Sequence, residues 1–178
     1  MRIILIGAPG SGKSVVSAAL TKSLNIPAIS IGQKLRELAK SNGSEDAKAA
    51  RQALNTGELV PDELAVRLLK EELERVKPPK GFILDGLPRT FSEARLIEGM
   101  FPVNRVFHLK VSPSIAFQRL MLRGRSDDVP SRIQRRIDIY QENIGEILSF
   151  YRSRGLLVEA DASSDIQSAA REVMSKLQ

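Results

Sequence analysis

The sequence predicts an α/β fold built on a parallel sheet, and three observations carry that prediction. Apolar strand-like runs alternate with helical patterns along the chain, as βα repetition requires. Gly7-Ala8-Pro9-Gly10-Ser11-Gly12-Lys13-Ser14 fits the phosphate-loop pattern G-x-x-x-x-G-K-[ST] without mismatch. That segment lies between an apolar run over residues 2–6 and a helical apolar stretch over 15–24, the strand–loop–helix context that gives the pattern its meaning.

Taken in order, the strands are expected at 2–6, a short one at 28–29, then 82–85, 105–111 and 156–159. A helix beginning after Ser30 is expected to end at Asn42-Gly43. Lys77-Pro78-Pro79-Lys80-Gly81 reads as a connector before a central strand. Ser112-Pro113 is a helix start, with a capping hydroxyl and proline at the first helical position. Residues 131–154 read as one long helix in spite of Gly145. Two regions break the simple alternation: helices over 30–60, inserted between the second and third strands, and a polar loop over 124–130 between two helices. Inserted pieces over a phosphate loop make natural lids.

Composition narrows the function. A chain of 178 residues with 42% hydrophobic and 27% charged residues belongs to the globular class and suits a single domain. The absence of Cys excludes disulfides and cysteine-bearing zinc sites and is compatible with a reducing compartment. The N-terminus leads directly into the first strand, so no signal peptide is expected, and no apolar run approaches a membrane span; cytoplasmic location is the expectation. The net charge of +6 invites a nucleic-acid reading, but aromatics at 4% and no Trp are poor provision for base stacking. Polyphosphate substrates account better for the charge.

The phosphate loop supplies the first chemistry. Its glycines let backbone N–H groups turn toward phosphate oxygens at the positive end of the following helix. Lys13 can reach the β/γ-phosphates and the Ser14 hydroxyl can ligate Mg²⁺. A second constellation is Gly81-Phe82-Ile83-Leu84-Asp85-Gly86-Leu87-Pro88-Arg89-Thr90. Three apolar residues lead into Asp85, a carboxylate placed for the outer shell of Mg²⁺. Gly86 admits a ligand to the backbone, and Arg89 offers a fork to a phosphate.

With these pieces the chain resembles the adenylate kinase family of nucleoside monophosphate kinases, in a short-lid form. Further matching segments are Ser30-Ile31-Gly32-Gln33-Lys34-Leu35-Arg36, Gly57-Glu58-Leu59-Val60-Pro61-Asp62, Arg119-Leu120-Met121-Leu122-Arg123, Arg125-Ser126-Asp127-Asp128, and Arg135-Arg136 ahead of Tyr140. The resemblance implies a P-loop NTPase fold with a five-stranded parallel sheet in the order 2-3-1-4-5. It implies a single domain over 1–178 with a core (1–29, 61–123, 131–178), a monophosphate-binding insertion (30–60) and a short lid (124–130). It implies reversible transfer from ATP with Mg²⁺ to a nucleoside monophosphate, AMP first, by a monomer without nucleic-acid or membrane partners. By the same resemblance Gly10, Ser11, Gly12, Lys13 and Ser14 hold the ATP phosphates, with Arg123. Arg119 and the loop at Ser164 flank the ATP base. Ser14 binds Mg²⁺ directly and Asp85 through water. Arg36, Gly86 and Arg89 serve the monophosphate's phosphate, and Ile31, Glu58, Leu59, Val60 and Glu93 border its nucleoside. Arg125 and Arg136 close over the transferring group, so Lys13, Arg89, Arg123, Arg125 and Arg136 form the catalytic set. Asp127 and Asp128 are expected to orient the lid arginines.

Departures from the family pattern bear on specificity. Ile31 stands for Thr, Gln33 for Asp, and Glu93 for the Gln that reads adenine. An ionised carboxylate only accepts hydrogen bonds and suits guanine's adjacent donors, so GMP, CMP or UMP is the alternative acceptor. The lid is short, so ATP hydrolysis without acceptor is expected; Ala162 for the usual Gly suggests looser contact with the ATP base. A small-molecule kinase is opposed by the 85–90 motif and the 30–60 insertion. A weakly active nucleotide-binding regulator is opposed by the retained arginines. His108 reads as structural, Arg132, Arg135 and Arg152 as solvated helix faces, and Met121 and Phe117 as helix core.

Overall fold

The computed structural model describes residues 1–41 and 43–177. In chain order the elements are β1 (Arg2–Gly7), α1 (Lys13–Leu24), β2 (Ala28–Ser30), α2 (Ile31–Lys40), α3 (Glu45–Thr56), α4 (Asp62–Val76), β3 (Phe82–Asp85), α5 (Phe91–Met100), β4 (Arg105–Lys110), α6 (Pro113–Arg123), α7 (Pro130–Arg152), β5 (Leu157–Asp161) and α8 (Ile166–Ser175). The sheet is parallel throughout, in the order β2-β3-β1-β4-β5. Both the α/β class and the strand order agree with expectation. No helix among the described residues is long and apolar enough to cross a membrane.

Strand periodicity divides the core. Ile4, Ile6, Leu84 and Val106 face one side, packed with residues of α4, α5 and α7, while Ile3, Leu5, Ile83, Phe107 and Leu109 face α1 and α8. Ile31, Leu35 and Ala50, from the two helices inserted after β2, join the first of these clusters. Thus the insertion is anchored in the main core. Ala8, Ala116, Leu120, Ile133 and Ile137 form a third cluster that ties the phosphate loop to α6 and α7.

The register sets the site. Leu5 pairs with Asp85 and Gly7 with Leu109, so the C-terminal ends of β1 and β3 deliver the phosphate loop and the carboxylate side by side. The 77–81 connector depends on Gly81. Its φ is +117°, and a Cβ there would lie 1.8 Å from the Met1 carbonyl oxygen.

Boundaries differ locally. The helix after Ser30 ends at Lys40 with Ser41 as its cap, ahead of the expected stop; Asn42 lies outside the described residues. The long helix starts at Pro130, which occupies its first turn, and ends at Arg152, so the loop between α6 and α7 runs over 124–129. Met121 does not belong to the core: it is 43% exposed, because α6 turns that face away from α7.

Candidate active site

The phosphate loop floors a cavity of about 460 Å³. Gly10 and Gly12 adopt φ of +85° and +90°, and side chains there would strike Ala116 O at 2.5 Å and Ile166 Cγ2 at 2.7 Å. No side chain caps α1 and no acidic residue stands in its first turn, so the helix presents its N–H groups and dipole to an anion. Lys13 Nζ donates to Gly7 O (2.7 Å) and Ala8 O (2.9 Å). Burial lowers its pKa to about 8, against the opposing attraction of Asp85. An arriving polyphosphate therefore meets an ammonium whose charge is short of counterions.

Ser14 Oγ donates to Asp85 Oδ2 at 3.2 Å. No group of three or more potential metal-ligating side chains occurs among the described residues. A hydroxyl and a carboxylate are hard oxygen donors, few in number, and fit Mg²⁺ that takes its remaining ligands from phosphates and water.

Cationic side chains reach the cavity from separate elements. Arg36 comes from α2 and Arg89 from the turn after β3. Both guanidinium groups converge beside Gly32, where a Cβ would lie 3.6 Å from Arg36 Nη1 and 3.7 Å from Arg89 Nη2. Arg89 Nε donates to Gly86 O at 2.8 Å, which fixes its direction. Burial, then the nearby Arg125, disfavours charge on Arg36. Arg123 comes from the end of α6, Arg125 from the loop between α6 and α7, and Arg136 from α7. Asp128, its side chain fully buried, organises them: it accepts from Arg123 Nε (2.8 Å) and Nη2 (2.7 Å), Arg136 Nη2 (2.9 Å) and the Arg125 N–H (3.2 Å). Burial works against its charge, but the hydrogen bonds from Arg123 and Arg136 prevail and hold its pKa at about 2. Asp127 Oδ2 accepts from Arg136 Nη1 at 3.1 Å. Both aspartates thus pair with Arg136, and Asp128 also with Arg123, while Arg125 is held through its backbone N–H.

A family model described as "Adenylate kinase" matches residues 5–156. The chain belongs to the adenylate kinase family. An adenylate kinase of Corynebacterium urealyticum is 36% identical over 175 residues, covering 95% of this chain and 96% of the relative. One from Xylella fastidiosa strain 9a5c is 32% identical, covering 98% and 97%. Adenylate kinase 1 of Synechocystis is 34% identical, covering 94% and 92%.

Against this adenylate kinase frame, most expected site residues reach the cavity. Gly10, Gly12, Lys13, Ser14, Arg36, Glu58, Leu59, Asp85, Gly86, Arg89, Arg119, Arg123, Arg125 and Arg136 all line it. Five expected residues do not. Ser11, Ile31 and Val60 are buried, Ser164 is exposed, and none of the four lines the cavity. Glu93, the fifth, is also off the wall. It is 1% exposed, and its Oε2 accepts from the backbone N–H groups of Arg89 and Thr90 while Thr90 Oγ1 accepts from the Glu93 N–H. This is a capping box on α5, which turns the carboxyl toward its own helix start. Gln33 is likewise off the wall, exposed and bonded to Glu37 at 2.9 Å.

Other findings add to the sequence reading. Arg135 is not merely solvated: it clasps Glu58 through Nε (2.6 Å) and Nη2 (3.2 Å), joining α7 to the segment after α3. Arg119 donates to Ala162 O (2.7 Å) and Ser163 O (3.2 Å), and Ala162 is fully buried, so the loop carrying the Gly-to-Ala departure is held tightly. His108 is structural, its Nε2 2.9 Å from the Tyr140 hydroxyl. Tyr140 itself lines the cavity with Ile139, Ile144 and Ile147. That stripe was missed, although it continues from Arg136 at helical three- and four-residue spacing.

Proposed function

We propose that this chain transfers the γ-phosphoryl group of ATP to AMP, reversibly, forming two ADP. The observation that carries the reading is the convergence of six cationic side chains on one cavity over the phosphate loop. Lys13, Arg36, Arg89, Arg123, Arg125 and Arg136 all line it, and they come from separate parts of the chain. A site for a single phosphate has no use for so many.

The acceptor is itself an anionic phosphate oxygen, so no strong general base is required. The P–O bond to the ADP leaving group breaks as the AMP oxygen bonds to phosphorus, and the spreading charge must be met by preorganised donors. On this reading the 10–14 backbone and Lys13 hold the ATP phosphates, and Arg36 and Arg89 hold the acceptor phosphate. Arg123, Arg125 and Arg136 surround the group in transit. Ser14 and, through water, Asp85 would hold Mg²⁺, which when bound neutralises phosphate charge. Arg119 and the backbone near Ser164 flank the ATP base, and the backbone near Glu58, Leu59 and Val60 borders the AMP nucleoside. The 30–60 insertion and the 124–130 lid act as the parts that close and exclude water.

AMP is favoured as acceptor because the side chains that depart from the family pattern do not face the cavity: Ile31 is core, Gln33 faces solvent and Glu93 caps a helix. The chain's nucleotide substrates point to the cytoplasm.

A coupled assay with ATP, Mg²⁺ and AMP, GMP, CMP, UMP or dAMP, with a no-acceptor control, tests the reading. The expected result is preference for AMP, with slow hydrolysis in the control. Preference for GMP would overturn the acceptor assignment, and activity with none of the five would overturn the reaction.

A further inference from the structure

Glu93 is a buried carboxyl that does not line the cavity. Its position is specific. Oε2 accepts from the backbone N–H of Arg89, the residue whose guanidinium meets Arg36 at Gly32, and from that of Thr90 at 3.3 Å. Thr90 Oγ1 in turn donates to Asp62 Oδ2 at 3.0 Å, so the turn is also tied to the start of α4. The charged groups bearing on Glu93 are Arg89 in its own turn and Asp62 from α4. The other helix against α5 is α7, which meets it through an apolar contact of Phe150 with Phe91.

We propose that Glu93 is a positioning residue: by holding the backbone of Arg89 it aims that guanidinium at the acceptor phosphate and couples acceptor binding to its own protonation. The inference rests on the reading of Arg89 as an acceptor-phosphate ligand. The coupling follows from charge. An acceptor phosphate on Arg89 places negative charge close to the carboxyl and neutralises the one nearby cation, so binding favours the protonated acid. Burial, opposed by the backbone bond from Arg89, pushes the Glu93 pKa up to about 7, which puts the change within an ordinary assay range. Glutamine at this position keeps one acceptor for the Arg89 N–H but cannot titrate.

The test compares wild type, Glu93→Gln and Glu93→Ala for the KM of AMP and of ATP between pH 6 and 8, with thermal melts to verify folding. Glu93→Ala is expected to raise the KM for AMP on the order of tenfold, the scale of a lost buried hydrogen bond to a charged acceptor, with the KM for ATP little changed. The ratio of the wild-type KM for AMP to that of Glu93→Gln is expected to rise severalfold from pH 6 to 8; AMP's own ionisation cancels in this ratio. A flat ratio overturns the coupling, and so does an equal effect of Glu93→Ala on both substrates. A switch of acceptor base in Glu93→Gln would return Glu93 to base reading. If Glu93→Ala does not fold, the pH ratio for Glu93→Gln decides. Wild type inactive with every monophosphate would instead remove the proposed reaction, a result distinct from any of these.

Discussion

Replacing Asp128 by Asn probes the loop between α6 and α7 most directly. The carboxylate is fully buried and accepts from both nitrogens of the Arg123 fork, from Arg136 and from the Arg125 backbone. Its pKa falls from 3.8 to about 2, because the arginine hydrogen bonds outweigh the burial that opposes charge. A lowered carboxyl pKa contributes stability that is present above pH 3.8 and is lost as the pH falls through about 2. At about 1.4 kcal/mol per pKa unit the contribution at neutral pH is about 2 kcal/mol. Asparagine keeps the shape but turns an N–H₂ toward donors, so it breaks at least one arm of the Arg123–Asp128–Arg136 network. Urea unfolding at pH 7 should therefore show a loss of about 2 kcal/mol, equivalent to a melting temperature roughly 4–8 °C lower. With the two arginines released, kcat should fall on the order of tenfold to a hundredfold. Asp127→Asn supplies the contrast. Asp127 Oδ1 is buried without a partner, so an amide there gives up less and should cost less in both measurements. The reasoning fails if Asp128→Asn matches wild type in stability and kcat, or if Asp127→Asn is the more damaging change.

Three further outcomes follow from the same geometry. Lys13→Met should lower kcat on the order of 10²–10³-fold in the coupled assay, with the fold intact by circular dichroism, because its ammonium is the cation of the phosphate loop. Gly10→Ala should destabilise by about 1–3 kcal/mol and impair ATP binding, since the site combines φ of +85° with a contact 2.5 Å from the Ala116 carbonyl oxygen; calorimetric titration and urea unfolding check both parts. Glu93→Gln should stabilise relative to wild type as the pH rises. A carboxyl whose pKa is raised by burial from 4.5 to about 7 has its stability contribution in full below pH 4.5 and loses it through pH 7, so melts at pH 5 and pH 8 should differ between the two proteins by up to about 3 kcal/mol.

Much of this protein was legible in consecutive residues. The phosphate loop, the strand running into Asp85, the cap at Ser112-Pro113 and the alternation of strands with helices are local patterns, because backbone geometry at those points is dictated by the glycines, prolines and apolar runs themselves. The sheet order followed from resemblance rather than from pattern, since strand adjacency is a property of distant segments. Some features lay within reach and were overlooked. Thr90-Phe91-Ser92-Glu93 is a capping-box signature, and Ile139 and Tyr140 follow Arg136 at helical spacing. Other features were decided only by tertiary structure. Nothing in the 31–36 segment says that Ile31 turns inward to the core while Gln33 faces solvent, nor that Arg135 on α7 meets Glu58 across a separation of 77 residues. A motif specifies which groups are available and how the local chain can bend. Which face of a helix meets the cavity depends on how the apolar stripes of several elements are buried together, and that packing turns Glu93 to its own helix start.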